Sequence, residues 1–263
     1  MQTGGTYREL LCRWEAVEAR GDVRVREIEC EIPHRALLRA EIGAASEPVV
    51  ALAAGVHGDE PAGPWALLEL VEARALDPRC AYRIWPCLNP AGFEARSRTS
   101  AGGVDLNRTF QAAGTSPEAS AVLAANRQCA FALSLDLHED SDADGFYCYE
   151  YGGGAIGAAV IAGLERDGFA IDSLDETFAM AGPLDESCCR RERGRILADP
   201  AREAIALGGL SYTLALARGG ARHALTFETP SKARWGTRVA MHRAAVTAAI
   251  AALLEESSSE TCN

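Results

Sequence analysis

The chain has 263 residues, 48% of them hydrophobic, enough to build a sizeable core within one domain spanning residues 1–263. Its 37 acidic residues outnumber 26 basic ones for a net charge of −11, which argues against nucleic acid or an anionic membrane as partner, since both need a basic footprint. The opening "MQTGGTYRELLCRWEAVEARGD" has no basic stretch leading into an apolar one, and no apolar run approaches the roughly 20 residues that cross a bilayer, so a cytoplasmic protein is expected.

Along the chain, Tyr7 to Ala19 spaces Leu10, Leu11, Trp14 and Val17 at helical intervals, and "VRVREIECEI" (23–32) then alternates like a half-exposed strand. Strand-like runs follow at Ala36–Ile42, Val49–Ala54, Tyr82–Leu88, Ala132–Leu137 and Ala224–Phe227. Between them lie helix-like runs at Ala62–Ala75, Pro117–Gln128, Ala155–Asp167 and Thr237–Glu256. This alternation predicts an α/β fold with a mixed, mostly parallel central β-sheet flanked by helices on both faces. Leu174–Arg195, which contains "DESCCRRERGR", reads as a surface loop at a site entrance, and the tail "SSSETCN" reads as frayed. The nine cysteines are odd in number and lack C-x-x-C spacing, and Cys80, Cys87, Cys129 and Cys148 lie in apolar segments, so reduced thiols are expected. The adjacent Cys188 and Cys189 read as a loop coincidence rather than a redox or metal site.

Polar residues interrupt the pattern where strands should end, the place where ligands bind in such sheets. Behind "PVVALAA" comes "GVHGDEPAGP", placing His57, Asp59 and Glu60 at the mouth of the core. A catalytic zinc takes three protein ligands from His, Glu, Asp or Cys, and the turn "HGDE" lets His57 and Glu60 face one point, with Gly58 permitting the bend. "FALSLDLHED" runs a second apolar strand into His138, one of only five histidines in the chain. "NPAGFEARSRTSAGGVDLNRTF" (89–110) brings Arg96, Arg98 and Arg108 among turn glycines. Guanidinium groups grip carboxylates and stabilise oxyanions, which points to a carboxylate substrate reacting at a carbonyl. "RHALTFETP" drives an apolar strand into Glu228, a candidate general base, with Glu139 the next candidate. "DSDADG" (140–145) copies the start of a calcium loop, but Tyr151 holds its twelfth place and a strand precedes it, so these acids are read as a negative rim favouring an amine or basic side chain.

In this order, "GVHGDE", "NPAGFEARSR", "GVDLNR", "LDLHED" and "TFETP" resemble the signature blocks of the carboxypeptidase A-like zinc metallocarboxypeptidases, including their aspartoacylase and succinylglutamate desuccinylase branch. The resemblance spans about Val49 to Pro230. It implies one zinc ion per chain on His57, Glu60 and His138, with Glu228 as base and Arg98 at the oxyanion. It also places Asn107 and Arg108 on the substrate carboxylate, and Asp105 behind the first zinc histidine. The implied activity is cleavage of an amide or peptide bond next to a free carboxylate, on a small peptide or amino-acid conjugate. An N-acyl amino acid deacylase is the alternative, and a non-catalytic zinc-binding protein a further one. The chain departs from the family's digestive members before Gly208 and Gly209, where "REAIAL" carries no substrate-capping tyrosine; Tyr212 follows the pair and is not a motif match. The side-chain pocket of the family would fall near Ser211.

Overall fold

The computed structural model describes residues 5–30, 37–44, 48–111, 116–152, 154–175 and 184–260. Helix α1 (Tyr7–Glu18) starts from a capping box between Thr6 and Glu9 and buries Leu10, Trp14 and Val17 of the predicted stripe, with Leu11 half-buried. Then come β1 (Arg24–Ile28), β2 (Leu37–Ile42), β3 (Val49–Ala54), α2 (Ala62–Glu72), β4 (Ala81–Trp85), α3 (Pro90–Ala95) and α4 (Pro117–Asn126). The next group is β5 (Leu133–Asp140), β6 (Tyr147–Tyr151), α5 (Ala155–Arg166), β7 (Cys189–Glu192) and β8 (Arg195–Ala198). Helices α6 (Pro200–Leu207) and α7 (Tyr212–Arg218), strand β9 (His223–Pro230) and helix α8 (Trp235–Glu260) complete the order.

The strands form one sheet in the order β1-β2-β4-β3-β5-β9-β6-β8-β7. Its centre, β4-β3-β5-β9, is parallel, whereas β2 pairs antiparallel with β4 and β6 antiparallel with β9. Two apolar layers follow from the two-residue period of the strands. Val50, Leu52 and Ala54 of β3 point into a layer built with α1, α2, α5 and α8. Ala51 and Ala53 point into the opposite layer with Phe110, Val122 of α4 and Tyr212 of α7. Helices therefore cover both faces, as expected of this composition.

Element bounds differ from the sequence reading in an instructive way. Strand β5 continues past Leu137 to Asp140 and β9 past Phe227 to Pro230, so His138 and Glu228 lie inside strands. Parallel register places His138 opposite Glu228, and the ladder holds these polar residues in extended backbone where the hydrophobic pattern has stopped. The end of the predicted 174–195 loop is instead β7 and the first residue of β8, with residues 176–183 outside the described range. The expected frayed tail is helical to Glu260, and Ala36 and residues 31–32 of the predicted first strands lie outside the described residues. Cys80, Cys87 and Cys148 are buried, as expected of their apolar segments, Cys129 is half-buried, and Cys188 and Cys189 are buried. Among the described residues no helix is long and apolar enough to cross a membrane.

Candidate metal centre and active site

The carboxyl ends of β3, β5 and β9 open into one cleft of about 460 Å³. After β3, Gly55 redirects the chain with a positive φ of 64°, and the expected turn follows across Gly58, with Glu60 N donating to His57 O at 3.4 Å. Gly58 is also required by close approach: a Cβ there would lie 1.9 Å from the carbonyl carbon of Gly92. Buried Asn89 fastens this loop to the arginine loop. Its amide Nδ2 donates to Val56 O at 3.2 Å and Arg98 O at 3.4 Å, and its Oδ1 caps α3 by accepting from Gly92 N.

His57, Glu60 and His138, all buried, converge so that one candidate ligand atom from each lies within 4.8 Å of the others. The two Nδ1 atoms face each other at 3.2 Å, and Glu60 brings Oε1 to 2.6 Å from His57 Nδ1 and Oε2 to 2.8 Å from His138 Nδ1. Behind them each Nε2 meets a carboxylate: Asp105 Oδ1 at 3.2 Å for His57 and Asp136 Oδ2 at 3.1 Å for His138. When Nε2–H donates backwards, Nδ1 is left with its lone pair pointing into the cluster, the tautomer a metal ligand needs. Three carboxylates around two imidazoles leave surplus negative charge, and the donor set of two nitrogens and a carboxylate suits a divalent cation with an open position. The residues present thus fit a metal.

Within the cluster histidine and carboxylate shift one another. Burial pushes the Glu60 carboxyl up, but the adjacent His57 and His138 outweigh it and hold Glu60 well below the usual range. Asp105 is likewise held low, burial being overcome by its hydrogen bond to His57 and by the charges of His57, Arg98 and Arg108. Glu228 moves the other way: burial, reinforced by Glu60, Asp140 and Asp136 against the pull of His138, drives its carboxyl well above the ordinary value. A carboxyl so crowded with negative charge has high proton affinity, the property a base beside a cation uses. The next candidate, Glu139, is committed elsewhere, with Oε1 accepting from Ala62 N at the start of α2 at 2.7 Å and Oε2 paired with Arg238.

Asp105 organises the arginine side. Its Oδ1 also accepts from Asn107 N at 2.9 Å, capping the short turn Leu106–Arg108, and its Oδ2 accepts from Arg98 Nη2 at 3.2 Å. Arg98 Nη1 lies 3.6 Å from Glu60 Oε1, at the edge of the cluster. Leu106, fully buried, anchors the turn in the apolar layer of Phe110, Val122 and Tyr212, and Tyr212 N donates to Asn107 Oδ1 at 3.1 Å. Arg98, Asn107 and Arg108 all line the cleft, whereas Arg96 turns away to Gly5 O. Ser211 lines the cleft too, and Tyr212 is buried against Phe110. Of the acidic run, Asp140 and Asp142 reach the rim.

Two cleft or supporting residues escaped the sequence reading. Asp136, two positions before His138 on the same face of β5, was hidden in an apolar run, although the spacing D-x-H offered a signal. Glu203 of α6 lines the cleft although only 4% exposed, and sits in the "REAIAL" stretch notable for its missing tyrosine.

Comparisons with known proteins agree with this picture. Residues 46–149 match the succinylglutamate desuccinylase/aspartoacylase catalytic domain. Over 113 residues, 35% of this chain, the sequence is 33% identical to carboxypeptidase SOL1 of Arabidopsis thaliana, and this match spans 23% of that protein. A candidate metallopeptidase from Shewanella denitrificans OS217 superposes with a TM-score of 0.73 at 26% identity, covering 92% of this chain and 88% of the other. A metallo-carboxypeptidase from Burkholderia cenocepacia shares the fold with a TM-score of 0.67 at 20% identity, over 91% of this chain and 67% of its own. Fold and sequence together bear out the resemblance to the carboxypeptidase A-like metallocarboxypeptidases, with their succinylglutamate desuccinylase/aspartoacylase branch.

Proposed function

We propose that this chain is a one-domain zinc-dependent hydrolase that cleaves an amide or peptide bond adjacent to a free carboxylate. The observation that carries the reading is the convergence of His57, Glu60 and His138 in a cleft that Asn107, Arg108 and Glu228 also line. A zinc ion held by these three residues would supply Lewis acidity toward a carbonyl oxygen and toward water. Asp105 and Asp136 fix the two imidazoles so that each Nδ1 faces the cluster, where it would be a ligand. Arg108 receives the substrate carboxylate through its guanidinium fork. Asn107 assists through Nδ2, the half of its amide left over once Oδ1 has accepted from Tyr212 N. Glu228 takes a proton from the attacking water and returns it to the departing nitrogen as the C–N bond breaks, giving a carboxylate and an amine. Arg98 stands where charge gathers on the carbonyl oxygen.

The match to the succinylglutamate desuccinylase/aspartoacylase domain supports a second reading, removal of an acyl group from an N-acyl amino acid, which the same residues would serve. Turnover of zinc-loaded protein on dipeptides, γ-glutamyl peptides and N-acyl amino acids separates the two, and inactivity on every member would sink the hydrolase reading. Arg108 is tested by pairing Arg108→Ala with an amidated substrate. Each change alone should cost at least about tenfold in kcat/KM, because charged hydrogen bonds contribute about 1.5 to 3 kcal/mol, and together they should cost little more than one. Losses that simply add place the carboxylate elsewhere.

A further inference from the structure

One buried carboxylate of the cleft has neither work in this mechanism nor a cation paired with it among the described residues. Glu203 is 4% exposed, yet it lines the cleft. Its Oε1 accepts from Tyr151 OH at 2.9 Å, and its Oε2 is buried with no hydrogen-bond partner among the described residues. No ion pair within 4.0 Å neutralises it among those residues, and Arg108 acts on it only through its field. A buried, half-satisfied carboxylate is destabilising unless a ligand completes it.

Its position says what kind of ligand. Leu207, four residues on, shares its face of α6 and lines the cleft with it. The chain after α6 lies directly on the carboxylate-reading turn: a Cβ at Gly209 would meet Arg108 O at 2.4 Å, and Phe110 N donates to Leu210 O at 3.0 Å. A substrate whose carboxylate reaches Arg108 therefore has Glu203 as a near neighbour, with Leu207 and Leu184 lining the same cleft. Apolar lining beside a buried acid matches an aliphatic stem ending in a cation.

We infer that Glu203 is the specificity residue of this cleft, pairing through Oε2 with the cationic side chain of a substrate such as a C-terminal lysine. The inference rests on the proposed role of Arg108 and names the substrate class of that site. The acidic rim formed by Asp140 and Asp142 acts in the same direction, raising the local concentration of cations.

Calorimetric binding of L-lysine and L-norleucine, which lacks only the side-chain ammonium group, tests this without turnover. The zinc-loaded protein is used at pH 8, where Glu203 carries its charge; the titratable and charged groups acting on it are Tyr151 of β6, Cys189 of β7 and Arg108. L-lysine should bind at least about tenfold more tightly than L-norleucine, the worth of one charged hydrogen-bonded pair. Glu203→Gln should shrink that ratio to about twofold or less, and Glu203→Asp should retain part of it. Equal affinities in the native protein, no detectable lysine binding at millimolar concentration, or a ratio unchanged in Glu203→Gln would each overturn the inference. The last result would mean that Glu203 only positions Arg108. Because binding is read separately from turnover, a protein inactive on the whole substrate panel could still satisfy this test, and an active one could fail it.

Discussion

Replacing Glu203 by glutamine should stabilise the protein in a pH-dependent way. Burial, partly offset by the hydrogen bond from Tyr151 and the charge of Arg108, raises its carboxyl from the usual 4.5 to about 7. Between those values the folded chain binds more protons at this site than the unfolded chain, so stability falls as pH rises from about 4.5 to about 7 and stays low above. At about 1.4 kcal/mol for each tenfold change in proton affinity, the ionised carboxylate costs the native state about 3 kcal/mol. Glutamine keeps the acceptor for Tyr151 OH and cannot ionise. Near pH 4.5 the two proteins should be about equally stable, and by pH 8 the variant should lead by up to about 3 kcal/mol. Paired urea titrations at several pH values read the difference, and the other titrating groups, present in both proteins, largely cancel. A difference that stays flat from pH 4.5 to 8, or a native protein that is the more stable at pH 8, would show that Glu203 carries no ionisation penalty. Such a penalty is the mark of a group held in place for a ligand at the expense of stability.

Other consequences concern the metal cluster. His57→Ala should lose stoichiometric zinc by elemental analysis, and full zinc with full activity in that variant would mean the site lies elsewhere. Glu228→Gln should keep the metal and the fold while kcat falls at least about a hundredfold, the usual worth of general-base catalysis, and a near-normal kcat would move the base. Asp136→Asn should weaken zinc binding by about ten- to a hundredfold in competition with a chelator, since His138 would lose the carboxylate that fixes its tautomer; unchanged affinity would make Asp136 a structural residue only.

How much of this could be read from the sequence follows from how each residue breaks the local pattern. His57, Glu60, His138 and Glu228 were legible because each interrupts an apolar run, and an interrupted run at the end of a strand is a signal of function. The same interruption misled the boundaries. Strands were stopped at Leu137 and Phe227, where hydrophobicity stops, yet the β5–β9 ladder runs three residues further because pairing with a neighbour, which no local window contains, keeps the backbone extended. Three strands are absent from the sequence reading: β6, "YCYEY", follows directly on the acidic run, and β7 and β8, "CRRE" and "RILA", have little β pattern of their own and are ordered by antiparallel pairing with each other and by the pairing of β8 with β6.

Glu203 shows the opposite case, a site residue that breaks nothing. An acid in the first turn of a helix that starts at Asp199-Pro200 is what the helix dipole favours, so the sequence there reads as an ordinary solvated helix start. Its burial is decided by distant events: β6 placing Tyr151 against it, the turn at Asn107–Arg108 lying against Gly209, and α7 packing between α6 and the sheet. The residues proposed to react are held by the ends of the central strands, which any sequence of this fold must form, and so they leave short, recurring motifs. The residue that would choose the substrate hangs on a peripheral helix whose helical pattern is indifferent to whether residue 203 is an acid. Substitution there can change the ligand without disturbing the metal, which is why chemistry is easier to read from this sequence than specificity.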